Sequence, residues 1–253
     1  MWPDFWALYE KLSQMGFLIS INTNGSLIDD NAVSRLVEMP PVRVNITLYG
    51  SGEEPYRRLC GVSGAYARVD RAVTKLQDAG IAVKLNGSLT PDNASDLEAC
   101  ISYAERHELI YEVATYMFPP VRRDESMVGR NERFTPEEAA YYRLKGYRLQ
   151  FGKEMYQKYL ENIVQGVVPP MAMEQNCIDP MDGKIRCRAG RASFWITWDE
   201  WLTPCGMMTE PRIELKGKNF SDAWEELVKT SEELKLSGVC RKCPNQKLCQ
   251  SCA

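Results

Sequence analysis

Histidine is nearly absent from this chain: His107 is the only one in 253 residues. That count excludes catalytic triads and metal sites built from several imidazoles. His107 itself falls at the end of an expected helix, where a surface or C-capping role fits a basic residue. No apolar run approaches the roughly 20 residues that a bilayer-spanning helix needs. The opening Met1-Trp2-Pro3-Asp4-Phe5-Trp6 has neither the basic n-region nor the apolar core of a secretory signal. Charge bias is missing too, since 31 Lys+Arg oppose 34 Asp+Glu for a formal net charge of −3. Neither nucleic acid nor membrane is therefore an expected partner, and a cytoplasmic, reducing location is expected.

What the chain does hold is cysteine, concentrated near its end. Seven of the nine cysteines lie at or beyond residue 177, and four form the run Cys240-x2-Cys243-x5-Cys249-x2-Cys252. Cys187 and Cys205 precede that run. In a reducing compartment, clustered thiols read as metal ligands before disulfides. Structural zinc usually takes two Cys-x2-Cys knuckles well separated in sequence, whereas here only five residues part Cys243 from Cys249. Iron–sulfur clusters also take four thiolates, and six cysteines suit two such centres better than one zinc. Spacing favours iron–sulfur and leaves zinc open. Cys60 and Cys100 stand apart, in loop and helix contexts that suit small buried thiols.

Residues 4 to about 118 alternate helix and strand. Phe5, Leu8, Tyr9 and Leu12 mark a first helix closed by Gly16, and Phe17 to Ile21 reads as a buried strand ending at Asn22-Thr23-Asn24-Gly25. A helix near 29–39, a strand from Val42 to Leu48, a helix from Gly64 to Ala79 and a strand from Ile81 to Leu85 follow. Asp92 to Arg106 then reads as helix and Ile110 to Met117 as a fourth strand. Short connections predict parallel strands joined by right-handed crossovers. Four strands are too few to close a barrel, which takes about eight.

Beyond Pro119-Pro120 lies a charged connector, read as a solvated loop. Thr135-Pro136-Glu137-Glu138 then has the form of a capping box with proline at the first helical position. It opens a long helix toward Gln165, bent near Gly146 or Gly152. Further on, Ala192 to Trp198 and Trp201 to Pro204 predict a hairpin turning at Asp199-Glu200. That arrangement puts Cys205 at the hairpin's end and Cys187 before it, and a helix near 221–235 separates the hairpin from the cysteine run. Trp195, Trp198 and Trp201 are expected to pack this hairpin rather than line a substrate channel.

Cys187-x2-Gly190, the segment Trp195-Ile196-Thr197-Trp198-Asp199-Glu200-Trp201, Pro204-Cys205 and the final cysteine run together resemble the SPASM domain of radical SAM enzymes. Thr23-Asn24-Gly25, Ile46-Thr47-Leu48-Tyr49-Gly50, Tyr56-Arg57-Arg58-Leu59-x-Gly61 and Leu76-x-x-Ala79-Gly80-Ile81 resemble the same family's partial barrel, in the right order. The resemblance implies an α/β fold: an incomplete partial TIM barrel (the last four strands of six) over 1–120, a helical connector over 121–176, and a small cysteine-rich SPASM domain with a β-hairpin over 177–253. It also implies one or two auxiliary [4Fe–4S] clusters. Cys187, Cys205 and Cys252 would serve the first, and Cys240, Cys243 and Cys249 the second. The usual fourth ligand of the second is a later cysteine, for which Cys177 is the available substitute. Asn24, Thr47 and Asn86, at strand ends, become contacts to S-adenosylmethionine, with strand-end capping as their plainer role.

Three departures qualify the match. Tyr49 stands where the family often has Asp, and Gly206 where some relatives place an acid. The family's Cys-x3-Cys-x2-Cys loop and Gly-Gly-Glu-Pro segment do not occur in these residues. The expectation is a chain truncated at its front, with S-adenosylmethionine bound and used only in a full-length form. Three functional readings follow: a radical SAM/SPASM maturase acting on a peptide or protein, with an electron donor such as flavodoxin or ferredoxin; an electron-relay cluster protein working beside a partner; and a zinc-stabilised binding module.

Overall fold

Amphipathic spacing and short connections fix the order of elements through residue 115. The computed structural model describes residues 3–115, 133–165 and 187–244. These divide into two units, one built on the residues through 115 with 133–156, the other on 157–165 with 187–244.

The first unit runs α1 (Phe5–Gln14), β1 (Ser20–Thr23), α2 (Asp30–Glu38), β2 (Arg43–Thr47), α3 (Glu53–Cys60), α4 (Ala65–Asp78), β3 (Val83–Ser88), α5 (Leu97–Arg106) and β4 (Tyr111–Ala114), then the part of α6 (Pro136–Val164) through residue 156, the rest of α6 belonging to the second unit. The four strands form one parallel sheet in the order β1-β2-β3-β4, as the alternation predicts. One expected strand is misplaced. Phe17 and Leu18 are 57% and 89% exposed and lie ahead of β1, which begins at Ser20 opposite Arg43. An apolar run alone did not locate that strand, because pairing with β2 sets its position. The expected helix from Asp92 also starts late: a short 3₁₀ turn, Ala94–Asp96, precedes α5.

Val44, Ile46, Leu48, Leu85 and Tyr111 project from one face of the sheet into a core with Val69, Val73 and Leu76 of α4 and Leu97, Ile101 and Ala104 of α5. Thr135 and Glu138 form the expected capping box at α6: Thr135 N donates to Glu138 Oε2 (2.8 Å), and Glu138 N to Thr135 Oγ1 (3.2 Å). Of the two glycines expected to bend α6, Gly152 does so, with φ 72° and ψ 174°. Gly146 stays helical and lets α6 close on β4, where a Cβ would lie 3.0 Å from Val113 Cγ2.

In the second unit β5 (Trp195–Ile196) and β6 (Trp201–Thr203) form an antiparallel hairpin, and β7 (Ile213–Glu214), which the sequence pattern did not reveal, pairs with β6. Thr197 N donates to the Trp201 carbonyl (2.9 Å) across the turn, with Glu200 at φ 65°. Helix α7 (Phe220–Glu232), capped by Asn219, buries Ala223 and Leu227 against Leu202 and Ile213. A four-residue helix, α8 (Gly238–Arg241), follows. The tryptophans pack less than expected, for Trp198 is 89% exposed. Trp201 instead stacks under Arg212, whose guanidinium carbon lies 4.4 Å from the ring centroid.

Candidate functional site

A parallel sheet covered on both faces usually carries apolar residues on both. This one does not. Strand residues alternate between faces, and register partners fall into rows: Asn22, Asn45 and Lys84 form one, Thr47, Asn86 and Glu112 the next. Apart from Ala114 beside Ser88, the strand residues on the face opposite the helical core are therefore polar. Asn45 Nδ2 donates to Asn22 Oδ1 (2.8 Å), and Lys84 pairs with Glu112. Asn45 is 8% exposed, and its Oδ1 is buried without a hydrogen-bond partner among the described residues. A buried unmet acceptor costs about 1–3 kcal/mol, which suits a surface that receives a polar ligand.

Thr47 and Asn86 are direct register partners near the C-terminal ends of β2 and β3, so the sheet brings them together. Asn24 follows Thr23, whose partner is Ile46. Its side-chain oxygen accepts from Ser26 N (3.0 Å) and Ser26 Oγ (2.8 Å), which shapes the turn after β1. The plainer capping role thus already occupies part of Asn24. Sequence reading missed the residue that stiffens this edge. Asn93, 1% exposed, donates through Nδ2 to the carbonyls of Tyr49 (3.0 Å) and Ser88 (3.1 Å), while its Oδ1 accepts from Thr90 N (2.7 Å). It ties the ends of β2 and β3 together. Tyr49 meets Tyr56 edge-on at 5.9 Å, and burial holds both phenols above their ordinary pKa. A half-buried tyrosine there supplies no carboxylate. The missed polar row also had a sequence mark: Ser20-Ile21-Asn22-Thr23 and Arg43-Val44-Asn45-Ile46-Thr47 alternate with period two.

A cavity of about 690 Å³ lies at the opposite, N-terminal ends of β2, β3 and β4, lined by Arg43, Lys84, Ile110 and Glu112 with Arg143 and Phe151 of α6. It does not include Thr47, Asn86 or Asn24.

His107 caps α5 as expected; its Nδ1 lies 2.9 Å from Gln77 Oε1 and its ring packs on Tyr103 at 4.5 Å. Cys100 is 1% exposed, and burial pushes its thiol up to about 12. Cys60 corrects the expectation of a buried loop thiol: it ends α3, a helix that the sequence pattern did not reveal, and is exposed.

In the second unit Cys187, Cys205, Cys240 and Cys243 are all free thiols, none of them fully buried. Cys177, Cys249 and Cys252 lie outside the described residues. Among the described residues no three metal-binding side chains converge, so these four thiols alone do not complete a ligand set. The surrounding backbone nevertheless suits sulfur ligands. Gly190, at φ 73°, closes the loop that Cys187 opens, and a Cβ there would lie 3.3 Å from Pro204 Cβ, next to Cys205. Ala189 N points at Cys187 Sγ (3.4 Å). Ser237 Oγ accepts from Cys240 N (3.2 Å), and Cys243 N donates to the Cys240 carbonyl (3.2 Å), which folds Cys240-x2-Cys243 into one turn. Gly206 packs under the Trp195 ring, where a Cβ would sit 3.2 Å from its carbon atoms. A side chain there would require the half-exposed Trp195 ring to give way by a few tenths of an ångström.

Comparison with known proteins agrees with this architecture. AdoMet-dependent heme synthase of Methanosarcina barkeri (strain Fusaro / DSM 804) is 20% identical over 266 residues, covering 99% of this chain and 73% of that protein. Mycofactocin maturase MftC of Mycobacterium ulcerans (strain Agy99) is 30% identical over 106 residues, 42% of this chain and 28% of its own length. The solved structure described as native anSMEcpe with bound AdoMet and Kp18Cys peptide shares the fold at TM-score 0.61 and 17% identity, over 96% of this chain and 70% of that one. Residues 1–104, which hold three of the four parallel strands, match the Radical SAM superfamily.

Proposed function

We propose that this chain forms the substrate-facing part of a radical SAM enzyme of the peptide- or protein-modifying kind. The C-terminal edge of its sheet contacts S-adenosylmethionine, and the region 177–253 holds one or two auxiliary [4Fe–4S] clusters. The polar sheet face with the orphaned Asn45 oxygen carries this reading, because a face built only for packing would be apolar. Thr47 and Asn86 contact the ligand there, with Asn24 at the margin, and Asn93 holds the edge that presents them. Cys187, Cys205 and Cys252 serve one auxiliary centre; Cys240, Cys243 and Cys249 serve the other. When bound, such centres supply electron transfer or anchor a substrate. A solved structure that shares this fold holds a bound peptide, which supports a peptide as the molecule acted on.

Reductive cleavage of S-adenosylmethionine needs a three-thiolate cluster with an open iron, and no Cys-x3-Cys-x2-Cys loop occurs in residues 1–253. This chain by itself binds the cofactor without cleaving it. A second reading, a cluster protein completed by a partner, is favoured by β1. Among the described residues that strand pairs only with β2, and Phe17 and Leu18 stand exposed before it.

Anaerobic loading with iron and sulfide is the test. Brown protein holding on the order of four to eight irons, and binding S-adenosylmethionine with loss of affinity in Asn86→Ala, is the expected result. Colourless protein holding stoichiometric zinc without sulfide would establish the zinc-stabilised module instead. Formation of 5′-deoxyadenosine by this chain alone would refute the division of labour.

A further inference from the structure

Among the described residues the hydroxyl of Ser231 has no partner. Ser231 is 2% exposed, and its Oγ is buried without a hydrogen-bond partner. A helical serine ordinarily returns its hydroxyl to a carbonyl one turn back. Here the Leu227 carbonyl instead accepts from Oγ1 of the neighbouring Thr230 (3.1 Å). Alanine would fill this position in α7 without burying an unmet polar group, so the serine calls for a partner beyond the described residues.

Its position indicates which partner. A Cβ on Gly190 would lie 2.1 Å from Ser231 Oγ and 3.3 Å from Pro204 Cβ. Gly190 belongs to the loop opened by Cys187, and Pro204 directly precedes Cys205. The orphan hydroxyl therefore sits at the seam of the two loops that carry the thiols assigned above to one centre. Arg191 reinforces that seam, donating from Nη1 to the Cys187 carbonyl (2.8 Å) and from Nη2 to the Ser231 carbonyl (3.5 Å).

Resting on the iron–sulfur reading, we propose that Ser231 Oγ–H donates a hydrogen bond to a sulfur of the centre held by Cys187 and Cys205. Ser231 is thus a positioning residue and not a ligand. Hydrogen bonds to cluster sulfurs help to set reduction potential. A donor stabilises the reduced, more negative form more than the oxidised one, so it raises the potential. Gly190 is then required twice over: its φ is positive, and any side chain would take the space of the hydroxyl.

The test uses the full chain in a Cys240→Ala/Cys243→Ala background, which leaves one centre to observe. Wild-type serine, Ser231→Ala and Ser231→Thr are compared by redox titration followed by electron paramagnetic resonance after anaerobic loading with iron and sulfide. Thermal unfolding of the metal-free forms is measured alongside. The expected result is a more negative potential for Ser231→Ala, restored toward the serine value by Ser231→Thr. Metal-free Ser231→Ala should unfold at the same or a higher temperature, because the buried hydroxyl lacks a partner until the centre is loaded. Equal potentials for serine and alanine would overturn the proposal while leaving the iron–sulfur reading intact. A lower unfolding temperature for metal-free Ser231→Ala would assign the hydroxyl to packing and overturn it as well. Failure of the serine form to take up iron and sulfide would instead remove the reading on which the proposal stands.

Discussion

Two thiols far from the cysteine-rich region show how much a single position decides. Leu97, Cys100, Ile101 and Ala104 lie at helical spacing on the core face of α5, so the burial of Cys100 was legible in sequence. Cys60 was not: it falls in the last turn of α3, and nothing local says which side of an eight-residue helix faces water. The pH consequence belongs to Cys100. Burial, the largest cause, raises its pKa from the ordinary 9.0 to about 12, against a lowering hydrogen bond with Tyr111. The unfolded chain therefore releases this proton first as pH rises. Stability is intact below pH 9 and is withdrawn between about 9 and 12, by on the order of a few kcal/mol at about 1.4 per unit. Burial of the Tyr56, Tyr103 and Tyr111 phenols adds in the same direction above pH 10. Denaturant titrations from pH 7 to 11 should show this slope, shallower in Cys100→Ala. An unchanged slope in that variant would discharge Cys100 from the effect.

Helix starts are written locally, and helix α6 shows both the reach and the limit of that rule. Its capping box was legible because Thr135 and Glu138 need only each other. Thr135→Ala should cost about 1 kcal/mol, read as a lower denaturation midpoint with an unchanged m-value; no loss would mean that the box is solvated in solution. The bend was only half legible. Gly146 and Gly152 are equivalent to a sequence pattern, and the contact of Gly146 with Val113 is what assigns the bend to Gly152. The sheet follows the same logic. Apolar runs located the strands to within a few residues, while the polar alternation that makes one face a site went unused. Parallel strands are expected to be apolar on both sides, and here tertiary context departs from that expectation. Asn93 was hidden for a related reason: its value lies in joining Tyr49 to Ser88, which are far apart in sequence.

Composition suggests an α/β part and a cysteine-rich part, whereas it does not give the ligand set, since thiolates on loops are brought together by folding and not by spacing. The two parts also differ in how they are stabilised. Among the described residues the first unit holds a buried cluster of twenty-one, from Tyr9 to Phe134, and the second a cluster of four: Leu202, Ile213, Ala223 and Leu227. So small an apolar core ordinarily requires a staple such as a metal centre. In the metal-free protein the second unit should therefore unfold at a lower temperature than the first, giving two calorimetric transitions, with hydrogen exchange fastest across β5, β6 and α7. A ligand that binds only the folded form raises stability in proportion to the logarithm of its excess over Kd. Loading with iron and sulfide should then move the lower transition upward and leave the upper one in place. A single transition in the metal-free chain, or an equal rise in both on loading, would show that the small core does not depend on its thiolates.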